Sequence, residues 1–61
     1  MTEQSREALL RRKQVEARTG LTRSTIYALI SEGKFPKSIP LVGRTVAWTE
    51  SSIDRWIAER I

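Results

Sequence analysis

Residues 14–33 read QVEARTGLTRSTIYALISEG, and the fold turns on how this stretch divides. Two short helical patterns meet at Thr19-Gly20-Leu21. A tight turn between crossing helices needs a residue at ease with positive φ, and Gly20 supplies it without steric cost. In the second half, Ile26, Leu29 and Ile30 recur at helical spacing and form one apolar stripe. Thr22 is placed to cap that helix, its hydroxyl accepting from a free N–H in the first turn. Gly33 stands where helices commonly end in a left-handed residue, and Pro36 prevents resumption. A short helix, a glycine turn and a second helix with a small, polar outer face together form the layout of a helix-turn-helix.

Working outward, the first helix is expected from about Lys13 to Thr19, with Val15 facing inward. Leu9-Leu10-Arg11 suits a short extended segment, and residues 1–8 read as a polar, flexible lead-in. Downstream, KSIPLVGRTVAW (37–48) reads as a β-hairpin with Gly43-Arg44 as a two-residue turn, glycine first. That register pairs Val42 with Thr45, Leu41 with Val46 and Ile39 with Trp48, placing Ile39, Leu41, Val46 and Trp48 on one face. Pro40 confines its strand to an edge. Thr49 caps a final helix, with Glu50 and Asp54 near its positive end and Ile53, Trp56, Ile57 and Ile61 along one side. The expected architecture is mainly α with a small β-hairpin. It is a single winged helix-turn-helix over residues 9–61, the kind of domain that binds DNA.

At 61 residues the core must be small. Its expected members are Leu9, Leu10, Val15, Leu21, Ile26, Leu29, Ile30, Phe35, Ile39, Leu41, Val46, Trp48, Ile53, Trp56 and Ile57. Such a core supplies about 3–5 kcal/mol of net stability, so the loss of a buried Trp56 is expected to unfold the chain. The sequence has no cysteine and no histidine. That removes disulfides, Cys/His zinc sites, thiol nucleophiles and imidazole bases, and no cofactor or metal is expected. No apolar run approaches the roughly 20 residues that span a bilayer, and MTEQSREALL lacks the apolar stretch of a secretory signal. A cytoplasmic protein without membrane contact is expected.

Net charge is +4, unevenly spread. Residues 9–48 hold eight basic side chains against Glu16 and Glu32, a local balance of +6. Positive charge gathered on the helix pair and the segment after it is the footprint of a polyanion partner. With the Ile26/Leu29/Ile30 stripe turned inward, the second helix presents Ser24, Ala28 and Ser31 outward, Arg23 and Tyr27 along one edge and Thr25 along the other. Small residues at the crest let the helix settle into a major groove of double-stranded DNA. Arg23 can grip a phosphate or read guanine, Ser24 and Thr25 can bond phosphates or bases, and Ala28 can meet a thymine methyl. Tyr27 offers a hydroxyl to the backbone. Arg44 at the hairpin tip suits a narrow minor groove. Lys34 and Lys37 flank the wing as phosphate holders, and Arg11, Arg12, Lys13 and Arg18 do the same near the first helix.

TGLTRSTIYALISEGKFPKSIPL followed by GRTVAWTESSIDRWIAERI resembles the AlpA family of small prophage-associated regulators across nearly the whole chain from Leu9 on. The match is carried by Gly20-Leu21-Thr22-Arg23-Ser24-Thr25-Ile26-Tyr27 with Gly33 and Phe35-Pro36, and by Val46-Ala47-Trp48 with Ile53-Asp54-Arg55-Trp56. The resemblance implies a winged helix-turn-helix acting in transcription at prophage or mobile-element promoters. It points to Arg23, Ser24, Thr25, Tyr27 and Arg44 as DNA contacts. Glu16 occupies a position four before the turn glycine where many such motifs place a small residue, which points to a looser, MerR-like helix crossing. The long dimerisation helix of larger MerR proteins is missing, so no small-molecule effector is expected.

The leading expectation is a sequence-specific transcriptional regulator. Alternatives are an excisionase-like architectural factor that bends DNA and recruits an integrase, and a protein-interaction module. An enzyme is not expected, since no nucleophile–base pair, phosphate loop or metal cluster is present. One module of this size buries on the order of 600–1,000 Å² on DNA. Binding as a homodimer or cooperatively on repeated half-sites is therefore expected, with RNA polymerase or an integrase as candidate further partners.

Overall fold

In a computed structural model, which describes residues 7–61, the chain forms β1 (Leu9–Leu10), α1 (Arg12–Thr19), α2 (Arg23–Ser31), β2 (Ile39–Pro40), β3 (Val46–Thr49) and α3 (Glu50–Ala58). Most of the ordered structure is helical, with one small antiparallel sheet in the order β1-β3-β2. This arrangement is consistent with the winged helix-turn-helix expected from the sequence. The lead-in expected over 1–8 lies outside the described residues except for Glu7 and Ala8. Both are tied to the start of α3. The Ala8 carbonyl accepts from the Glu50 N–H at 2.9 Å, and the Glu7 carboxylate accepts from the Ser51 N–H and hydroxyl, each at 2.9 Å.

Each helix end has a local cause. The Arg11 N–H donates to Gln14 Oε1 at 2.8 Å, so α1 starts one residue earlier than its apolar pattern suggests. It ends where Gly20 adopts φ +75° and donates its N–H to the Glu16 carbonyl. Helix α2 begins at the expected cap, Thr22 Oγ1 accepting from the Thr25 N–H at 3.2 Å. It closes with Gly33 at φ +72°, the Gly33 N–H bonded to the Ile30 carbonyl and the Lys34 N–H to the Leu29 carbonyl. That bond pair is the Schellman arrangement, which satisfies carbonyls a helix end otherwise leaves free. Thr49 caps α3 by accepting from the Ser52 N–H.

The core draws on every layer. Leu10, Val15, Ile26, Phe35, Ala47, Trp48 and Ile53 are buried, and Leu21, Leu29, Ile30, Val46, Trp56 and Ile57 pack partly buried against them. Both indoles tie down the loop after α2: Trp48 donates to the Pro36 carbonyl at 2.9 Å and Trp56 to the Lys34 carbonyl at 2.8 Å.

The hairpin departs from its expected register. Ile39 faces Ala47 and Pro40 faces Val46, one step away from the pairing read off the alternation. The turn at Gly43-Arg44 does form, with Gly43 at φ +58° and the Thr45 N–H bonded to the Val42 carbonyl. However, the Leu41 N–H bonds the Thr45 carbonyl at 2.8 Å, so Leu41 and Val42 together oppose Thr45. This is a β-bulge, and one extra residue shifts every partner beyond it. Ile39 and Leu41 are consequently exposed instead of sharing a buried face with Trp48. Leu9 on the other edge strand is also exposed, contrary to expectation, and Ile61 lies exposed beyond α3, whereas Ala47 on the central strand is fully buried.

Candidate nucleic-acid interface

Helix α2 is oriented by its stripe. Ile26 is completely buried and Leu29 and Ile30 are half-buried, which leaves Arg23, Ser24, Thr25, Tyr27, Ala28 and Ser31 exposed. The crest is therefore Ser24, Ala28 and Ser31, as the helical wheel requires. The Ser24 hydroxyl has no hydrogen bond to any described residue, so its donor and acceptor remain available. The Thr25 hydroxyl instead accepts from the Thr22 hydroxyl at 3.0 Å, and that of Ser31 donates to the Ala28 carbonyl. Arg23 lies over the Tyr27 ring, its guanidinium carbon 5.4 Å from the ring centroid. Such stacking holds a guanidinium in place while its N–H groups stay free to donate.

Beside this edge of α2 is a depression of about 500 Å³ lined by Arg11, Arg12, Lys13, Arg23, Tyr27, Arg44, Thr45 and Val46. Three separate elements meet there: the start of α1, the first turns of α2 and the hairpin tip. Five of the eight lining residues are cationic and none is acidic. Arg12 pairs with Glu16 at 3.0 Å along α1. Arg11, Lys13, Arg23 and Arg44 form no ion pair among the described residues. Cations gathered without counter-ions raise the local potential and attract an anionic partner.

The other expected cations fall elsewhere. Arg18, read from sequence as a phosphate holder, turns instead onto α3, pairing with Glu50 at 2.7 Å and Asp54 at 3.5 Å. Lys34 stands 3.7 Å from Glu32 and lines a different depression with α3, and Lys37 is exposed outside both. Arg11 and Lys13 join Arg23 and Arg44 through tertiary placement, and no sequence spacing marks that convergence. Among the described residues no cluster of His, Cys, Asp and Glu could hold a metal, and no helix is long and apolar enough to cross a membrane.

Residues 8–61 match the family model described as prophage CP4-57 regulatory protein (AlpA). This chain belongs to the AlpA family. It is accordingly a member of a regulator family and not an enzyme. Two relatives within reach of this AlpA-family chain are informative. The uncharacterized protein ORF88 of Enterobacteria phage P4 is 46% identical over 57 residues, which cover 93% of this chain and 65% of that protein. The DNA-binding transcriptional activator AlpA of Escherichia coli strain K12 is 33% identical over 66 residues, covering 98% of this chain and 94% of the relative.

Proposed function

We propose that this AlpA-family chain is a sequence-specific, DNA-binding regulator of transcription at prophage or mobile-element genes, built as a winged helix-turn-helix. In this reading α2 enters the major groove with its Ser24–Ala28 crest against the base edges. Arg23, Thr25 and Tyr27 flank that crest, and Arg44 on the wing reaches the adjacent minor groove. Arg11 and Lys13 hold phosphates at the start of α1, and the exposed Lys37 is a peripheral phosphate contact. Lys34, set apart with Glu32, is given no part. The observation that carries the reading is the convergence of Arg23, Tyr27 and Arg44 in one acid-free depression beside an exposed small-residue crest. The name of the E. coli relative supports it and favours activation as the sign of regulation. A DNA-bound role places the protein in the cytoplasm, and the small contact area favours paired or cooperative binding.

Footprinting around its own gene identifies the duplex on which to measure affinity. Log affinity should fall against log salt with a slope of about −0.9 per phosphate neutralised. Arg23→Ala should cost about 1–3 kcal/mol if Arg23 reads guanine. Arg44→Ala should weaken binding and flatten the salt slope by roughly one. Unchanged duplex affinity in both variants would overturn the proposal.

A further inference from the structure

The second depression, of about 480 Å³, lies between the 33–36 loop and one side of α3 and shares no lining residue with the first. Its α3 wall consists of Ser51, Ser52, Arg55 and Trp56, continued by Glu59 just past the helix end, a single face by their spacing. Along this lining Lys34, Arg55 and Arg60 outnumber the single acid Glu59. Lys34 also stands 3.7 Å from Glu32, the Glu7 carboxylate accepts from Ser51, and Glu50 and Asp54 are turned to Arg18 on α1. Arg55 has no ion pair among the described residues. The Trp56 ring packs against Phe35, with centroids 4.9 Å apart, and carries the Arg60 guanidinium at 4.1 Å. Its indole N–H is already taken by the Lys34 carbonyl, so what Trp56 offers a visitor is apolar surface.

We infer that this groove docks an acidic segment of a partner protein. Carboxylates of that segment pair with Arg55 and Lys34 in charge-assisted hydrogen bonds, and an apolar side chain beside them rests on Trp56. An aromatic floor framed by cations is suited to such a mixed ligand. Two features favour polypeptide over a nucleic-acid backbone: the floor is aromatic, and no wall is shared with the depression assigned to DNA. The inference does not rest on the DNA-binding reading, and either can fail alone.

The test is titration of the isotope-labelled 61-residue chain with a synthetic Asp/Glu-rich dodecapeptide containing two leucines, followed by NMR. The expected result is a saturable shift of the Trp56 indole N–H and of the Ser52 and Arg55 amides, with Trp48 and the α2 crest unmoved. Arg55→Glu should weaken peptide binding about tenfold, Arg55→Gln less, and added salt should weaken it further. Duplex affinity of both variants should stay within about twofold of the parent. A lysine-rich peptide of the same length should leave the groove unshifted. The inference is overturned by absence of saturation up to about millimolar peptide or by shifts centred on Arg23 and Arg44. It is equally overturned if Arg55→Glu reduces duplex affinity as Arg23→Ala does, which would make the groove a phosphate contact. Concentration-dependent shifts at Trp56 without peptide would overturn it in favour of a second copy of the chain.

Discussion

Helix α2 and the β2–β3 hairpin both carry an exposed tip toward the proposed DNA face, yet they are held there differently. The helix is anchored by a completely buried Ile26, flanked by half-buried Leu29 and Ile30, and closed by the Thr22 side chain at its start and by backbone bonds at its end. Of the hairpin, only the inner strand is anchored, through Ala47 and Trp48. Its outer arm, β2 with Leu41 and Val42 after it, leaves Ile39, Leu41 and Val42 exposed, Val42 at 76%, and depends on a few main-chain bonds and one turn. Burial fixes the rotation of α2 about its axis, whereas little burial fixes the outer wing. Local stability follows such differences in buried apolar contact. The face that would read bases is therefore the more firmly held by burial, and the arm beside it the less.

The sharpest way to break this contrast is at the anchor both regions share. Trp48→Ala should cost about 3–5 kcal/mol, comparable with the whole stability of so small a core. Circular dichroism should then show a largely unfolded chain, and a cooperative melt near the parent temperature would remove Trp48 from that role. Ile26→Ala should cost about 2–5 kcal/mol in denaturant unfolding, whereas Leu41→Ala on the outer strand should cost far less. Equal losses would erase the distinction between helix and wing. Thr22→Ala should destabilise by about 1 kcal/mol through the lost cap at the start of α2. At the smallest scale, Val42→Ser and Ala28→Glu should each leave stability within about 0.5 kcal/mol. The two then separate in function: Ala28→Glu should abolish duplex binding by setting a carboxylate against phosphates, and retention of binding would place DNA away from the crest.

Where sequence and structure agree, the determinant is local. The Gly20 turn, the Thr22 and Thr49 caps, the Gly33 stop and the inward stripe of α2 all depend on residues within one or two turns of each other. The exposed site edge of Arg23, Ser24, Thr25, Tyr27 and Ala28 follows directly from that stripe. Where they differ, the cause is long-range or a matter of counting. The bulge at Leu41–Val42 adds a single residue, and side-chain alternation has no means of registering it. Ala47 is buried because β3 lies between two strands, a position its size alone does not reveal. Trp56, expected as the core anchor, is only half-buried at the edge of a groove, and Trp48 takes the interior. Arg18 finds Glu50 and Asp54 across more than thirty residues, so its removal from the cationic face is a tertiary event.

That supernumerary residue in the wing has an evolutionary corollary. Deleting Val42 would leave an even connection, restore the simple alternating ladder and re-aim Arg44 without touching a single interior side chain. Insertions and deletions at this one point offer descendants a way to alter the proposed wing contact that leaves the buried core intact. Related regulators could diverge in wing length while the recognition helix stays in place.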